Sequence, residues 1–203
     1  MNSILPTISF ASFYSIFFFS YFFLTIIAAS YVRYKNPEID RRIFLLLGIS
    51  ILLFTLCRPL PLSRDDAAYI QIAKSICPMN ECGLSIQGFR DWGWYFILSF
   101  FKAFFSNERS LMALASISVA VKLWVIDRLC RQRLLALALF IPLTYIQYDF
   151  TQLRAGFAIS WYFVAIFFLV SCKDWIAGGF LVSNFAFHAQ AAPSIGLIPF
   201  TWL

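Results

Sequence analysis

Apolar residues in this chain come in long runs separated by short clusters of charge, a pattern suited to lipid and not to a water-soluble core. The first run, residues 8–32, is long enough to cross about 30 Å of hydrocarbon with some tilt. A shorter run, 43–57, lies between a basic linker and the sequence Arg58-Pro-Leu-Pro61. Pro37 breaks any helix running through that linker. Runs at 111–126, 134–148, 155–171 and 175–187 follow, and 193–203 is an apolar tail. At about 17 to 25 residues per crossing, the pattern predicts some six spans. Residues 94–105 are apolar but short, and Lys102 interrupts them. The expected fold is all-α, a polytopic membrane helical bundle forming one transmembrane domain over 1–203.

Composition agrees. The chain is 61% hydrophobic and only 13% charged, more apolar surface than a soluble domain of this length hides. No Lys or Arg precedes the first run and no small-residue cleavage site ends it, so it is expected to be a span and not a signal peptide. The net charge of +6 sits in clusters flanking apolar runs, where topology signals and lipid-headgroup contacts belong. Nucleic-acid binding is set aside on that distribution.

The positive-inside rule then orients the pieces. The basic stretches 33–42 and 128–133, with Lys173, are expected on the cytoplasmic side. Residues 58–92 become an extracytoplasmic loop, and Arg154 and His188 fall on the same outer side. This requires 94–105 to be a re-entrant or interfacial helix, because a span there would carry Arg128 outside.

That loop holds most of the candidate chemistry. It contains Arg58, Arg64, Asp65, Asp66, Lys74, Glu81, Arg90 and Asp91, in a chain where charge beside a bilayer is costly. An amphipathic helix is expected over 65–76. On it Asp65 and Asp66 lie four and three residues before Tyr69, so the three share a face. They suit a carboxylate that orients or deprotonates a hydroxyl, beside an aromatic ring for a sugar. The plainer alternative is a helix start, with Ser63 as N-cap and the acids favouring the dipole. Arg154 is either a snorkelling interfacial residue or a bidentate clamp for phosphate oxygens. The small residues Ala155, Gly156 and Ala158 would let another helix approach it. His188, the single histidine, suits a local hydrogen bond, a proton relay or a phosphate donor. No histidine spacing supports a metal site. Cys77 and Cys82 flank a short loop on the oxidising side and are expected to form a disulfide, while Cys57, Cys130 and Cys172 suit packing.

Arg58, Asp65-Asp66 with Tyr69, Asp91-Trp-Gly-Trp94, Gln152-Leu-Arg154-Ala-Gly-Phe-Ala158 and Phe187-His188 follow one another in an order that resembles the EpsG-like polysaccharide polymerases. That family is akin to the Wzy polymerases of O-antigen, capsule and exopolysaccharide. Asp91 stands where the family more often has Glu, and Ala155 where Gln is usual. The chain is expected to correspond to the N-terminal half, or somewhat more, of a member. The resemblance implies a glycosyltransferase that joins undecaprenyl-pyrophosphate-linked oligosaccharide repeats at the outer face of a bacterial inner membrane. It implies a catalytic set of Asp65, Asp66, Asp91 and His188, with Arg58, Arg64, Tyr69 and Arg154 binding substrate and pyrophosphate. No cofactor is expected, since arginines stand in for a metal. Expected partners are the lipid-linked oligosaccharide, membrane lipids and other polysaccharide-assembly proteins. A non-catalytic glycan export or assembly subunit, a ligase, or an inactive truncated remnant are the alternatives. An export component would carry its charges near the bilayer midplane, where Lys102 and Lys122 are the candidates, neither with an acid in its own segment.

Overall fold

The computed structural model describes residues 4–32, 37–63, 65–82 and 91–188, without the side chains of residues 4–14, Cys82 and Phe185. All regular structure among the described residues is helical. The order is α1 (Ile4–Val32), α2 (Pro37–Cys57), α3 (Asp66–Ser75), the single turn α4 (Met79–Cys82), α5 (Trp92–Lys102), α6 (Asn107–Leu129) and α7 (Arg133–Phe140). A π-helical segment (Ile141–Thr151) continues α7, and α8 (Leu153–Val170) and α9 (Asp174–Phe187) complete it.

Four stretches are both long and apolar enough to cross a membrane: Ser15–Val32, Asn107–Leu129, Arg133–Thr151 and Leu153–Val170. These mark the chain as a membrane protein, and they match four of the expected spans. The other apolar runs differ. Helix α2 has the length, 21 residues, but opens with Glu38, Asp40, Arg41 and Arg42. Helices α9 and α5 have 14 and 11 residues, about 21 and 16 Å at 1.5 Å per residue, less than the hydrocarbon thickness.

The π-helical segment has a cause in the sequence. Of its buried residues, Ile141, Tyr145 and Asp149 recur every fourth position, and Phe150 is buried beside the last. In an α-helix, 3.6 residues per turn would swing each about 40° past the last. The wider π turn keeps them in line against the core. Pro142, lacking an N–H, lies where the wider winding begins. Tyr145 then reaches α2, its hydroxyl 2.8 Å from that of Thr55.

Buried apolar side chains form two clusters. Phe44, Ile51, Leu123, Leu134, Leu137 and Tyr145 join α2, α6, α7 and the π-helical segment. Tyr69, Trp94, Leu98, Leu111, Leu153 and Phe157 join α3, α5, α6 and α8 nearer the other end. At the first end, Asp127 near the end of α6 accepts from Arg41 of α2 at 3.0 Å and from Arg133 of α7 at 2.7 Å. The Arg133 guanidinium also lies 3.9 Å from Asp40. Basic residues of two separate linkers thus meet at one end of the bundle.

Helices α6 and α8 run parallel, with Ser118 against Gly156 and Trp124 against Phe167. That pairing sets α8 about 12 Å deeper than the start of α6, at 1.5 Å rise per residue. Everything at the α8 N-terminus therefore lies below the first turns of α6. Replacing Asp127 with Ala, which strands two arginines in partial contact with water, is expected to cost about 1 kcal/mol. A lowered midpoint of thermal unfolding in detergent, followed by helical circular dichroism, checks it.

Candidate functional site

The recess at the start of α8 is built by three helices. The first-turn N–H of Arg154 has no intrahelical acceptor, and the Tyr69 hydroxyl of α3 takes it at 3.4 Å. The Arg154 guanidinium reaches α5, where Nη1 donates to Asp91 Oδ2 at 2.8 Å. Asp91 is 2% exposed on its side chain, and Arg154 is 28% exposed, so the cation faces the recess while its counter-ion lies behind it. Arg154 Nε is buried with no hydrogen-bond partner. An unmet donor of this kind costs about 1–3 kcal/mol, and it leaves binding capacity in hand.

Asp91 holds this place through an unusual backbone. Its φ of 57° is left-handed, a region that Asp tolerates better than most non-glycine residues. Instead of capping α5, its carboxylate is turned to Arg154. Gly93, two residues on, is where α5 meets α9. A Cβ there would lie 2.9 Å from both the Cβ and the carbonyl oxygen of Ala186. The glycine therefore brings α9 against the start of α5 and places His188, half-buried at the C-terminus of α9, at the same end of the bundle as Asp91.

Aromatic rings pack in the core beneath. Tyr69 meets Trp94 at 6.2 Å between centroids, Trp94 meets Phe157 at 6.1 Å, and Phe157 meets Phe187 at 5.2 Å. Burial pushes the Tyr69 phenol above its ordinary pKa, against the opposing pull of Arg154. It is therefore neutral at physiological pH and acts as a hydrogen-bonding group, not as a base. Trp94 Nε1 is a second buried donor without a partner.

Asp65 and Asp66 separate into different environments. Asp66 is fully buried. Its Oδ1 accepts from Arg58 at 3.1 Å, and its Oδ2 accepts from the Leu62 and Ser63 amides, each at 2.8 Å. Asp65 is the N-cap of α3 by position, a place the sequence had given to Ser63, and makes no side-chain cap bond. Its half-buried carboxylate enters no ion pair among the described residues. Arg58 is turned inward: it donates to the Phe150 carbonyl at 2.5 Å, lies 4.4 Å over the Phe150 ring, and touches Met112 Sδ at 3.4 Å. It braces the site from inside. Arg58 also lines a cavity of about 470 Å³, with Leu56, Pro59, Phe105, Arg109 and Met112 among others. Arg64 lies outside the described residues, as does the side chain of Cys82. Cys77 is disulfide-bonded, and Cys57, Cys130 and Cys172 are free.

Two lysines have partners that their own segments do not show. Lys102 donates to the Ala73 and Ile76 carbonyls and so caps the end of α3. Lys122 pairs with Asp149 at 2.6 Å, both side chains wholly enclosed. Asp149 and Ser118 were not among the sequence candidates; Lys122 was one only for an export component, and Gly156 only as a small residue that lets a helix approach. The four-residue spacing that keeps Asp149 facing inward was the available signal. Among the described residues, no group of histidine, cysteine or carboxylate side chains has the arrangement of a metal site.

No protein-family model, no curated protein and no solved structure matches the chain. Substituting Gly93 by Ala is expected to destabilise the fold by about 1–3 kcal/mol, because Cβ would press on backbone as well as side chain. Thermal unfolding in detergent reads the stability. Loss of an engineered disulfide between the exposed ends of α5 and α9 would show the two helices parting.

Proposed function

We propose that this chain is a glycosyltransferase of the polysaccharide-polymerase type, acting on oligosaccharides carried on a lipid pyrophosphate. The observation that carries the proposal is Arg154: a guanidinium held by Asp91, still 28% exposed, beside the Tyr69 hydroxyl and with Nε unspent. A guanidinium suits phosphate oxygens.

In this reading an acceptor sugar hydroxyl attacks the anomeric carbon of the donor. The bond from that carbon to the pyrophosphate oxygen breaks, and the lipid pyrophosphate leaves with the electron pair. Arg154 neutralises the charge that develops on it. Asp65 takes the hydroxyl proton, since the Asp66 carboxylate is already committed to Arg58 and two amides. The Tyr69 hydroxyl hydrogen-bonds to sugar, Trp94 packs behind it in the core, and His188 donates to a phosphate oxygen or relays a proton. Arg58 acts through the fold by holding Asp66 and the Phe150 carbonyl. The amphipathic cavity beside it, rimmed by the exposed Arg109, suits the lipid neighbouring its headgroup.

The proposal includes a six-span topology in a bacterial inner membrane, with α1, α2, α6, α7 and its π-helical extension, α8 and α9 crossing. Helix α5 is then re-entrant. It starts at the recess and stays there, Lys102 being tied back to α3. The recess then faces outward, where repeat units are joined, beside other proteins of polysaccharide assembly.

One observation favours a second reading, a non-catalytic export or assembly subunit: Lys122 and Asp149 are charges inside the bundle, as such a component would carry. Their full enclosure means that they line no path in this state. A host lacking its own polymerase, supplied with this chain, separates the two. A glycan ladder is expected from the parent, and at least about 100-fold less product from Arg154→Ala, Asp91→Asn and Asp65→Asn. Single repeats only from the parent, with the protein verified in the membrane, would favour the second reading. Parental ladders from the variants would sink the site assignment.

A further inference from the structure

One ammonium touches both flanks of the turn that carries Arg154. Lys122 Nζ donates to Asp149 Oδ1 at 2.6 Å, at the end of the π-helical segment, and to the Gly156 carbonyl at 2.7 Å, in the first turn of α8. The Ser118 hydroxyl, one helical turn back along α6, accepts from the same ammonium at 3.0 Å. That hydroxyl lies 2.6 Å from Asp149 Oδ1 and 2.9 Å from the Gly156 carbonyl. Three segments are thereby joined at one point, and Arg154 lies between the two that flank it.

The local sequence is fitted to this joint. The π-helical winding keeps Asp149 on the inward line of Ile141 and Tyr145. Gly156 is required at its place, because a Cβ there would lie 2.8 Å from Asp149 Oδ1 and 2.9 Å from the Tyr148 carbonyl. Asp149 Oδ2 is buried without a partner, so the pair is not saturated as a device for stability alone. An apolar pair of the same volume is often as stable as a buried ion pair, or more so. What the apolar pair lacks is direction: one ammonium bonded at once to Asp149 of the π-helical segment and to the Gly156 carbonyl of α8 admits a single register of α6 against both.

We propose that Lys122 and Asp149 are positioning residues for Arg154, fixing the depth and rotation at which α8 begins and so holding the guanidinium against Asp91. The activity consequence rests on the glycosyltransferase reading, whereas the geometric consequence does not.

The test uses the full chain in lipid nanodiscs, with the three free cysteines replaced by serine. Spin labels go on cysteines introduced at the exposed positions Trp92 and Gln152, which adjoin Asp91 and Arg154 without belonging to the pair. The dipolar spectrum of the parent is expected to give one narrow separation. The double variant Lys122→Met with Asp149→Leu, folded by helix content and unfolding midpoint, is expected to give a shifted or broadened one. Where a parental ladder exists, its product falls about 100-fold, as small misplacements of a reacting group do. Ser118→Ala keeps both charges and removes only the hydroxyl between them, so it is the milder variant for folding, and an intermediate broadening is expected. A parental, narrow separation in the folded double variant overturns the proposal, and if that variant fails to fold, an unchanged separation in Ser118→Ala does so. A broadened separation in a chain that makes no ladder leaves this inference standing and removes the glycosyltransferase reading. A ladder with unchanged separations does the reverse.

Discussion

A charge inside an apolar bundle must meet its counter-charge, and two such meetings set the frame of this protein. Arg58 with Asp66 ties the end of α2 to the start of α3 and, through the Phe150 carbonyl, to the end of the π-helical segment. Lys122 with Asp149 ties α6 to that same segment and to α8. Removing one partner of such a pair leaves an uncompensated buried charge, at a cost of about 3–5 kcal/mol. The positions of Tyr69 and Arg154 follow from these joints, since α3 hangs from one and α8 from the other. The apolar clusters fill the space between, but apolar contact alone would tolerate several registers of helix against helix.

The residues at the recess illustrate how a polar site is kept open in a protein with so few charges. Asp91 is nearly sealed and Arg154 is not, so the pair presents a net cation to whatever enters. Asp65 and Asp66 are neighbours in sequence and opposites in environment, one half-buried at the start of α3 and the other fully enclosed and committed to Arg58 and two amides.

Much of this was legible in the sequence, and the rest had a physical reason for being hidden. The apolar runs and their charged ends gave the helices, the polar stretch gave Tyr69 and Asp91, and the start of a later run gave Arg154, which meets both. Helix lengths were harder, because hydropathy does not show where α5 and α9 end, after 11 and 14 residues. Lys122 and Asp149 were invisible as a pair, since each is the odd charge at or near the end of its own apolar run and only packing brings them together. Asp66 could not be told from Asp65 by spacing, as the distinction lies in which carboxylate finds Arg58 and two loop amides. Lys102 looked like an interruption of an apolar helix and turned out to be the cap of another.

The bundle is tied differently at its two ends. Asp127 with Arg41 and Arg133 lies where water reaches, the Arg41 side chain being 54% exposed. Dissolved ions weaken such attractions over a screening length of about 8 Å at physiological ionic strength. The enclosed pairs at Asp66 and Asp149 lie beyond their reach. Salt therefore loosens the tie at the Asp127 end and leaves the two enclosed joints that carry α3 and α8 as they are.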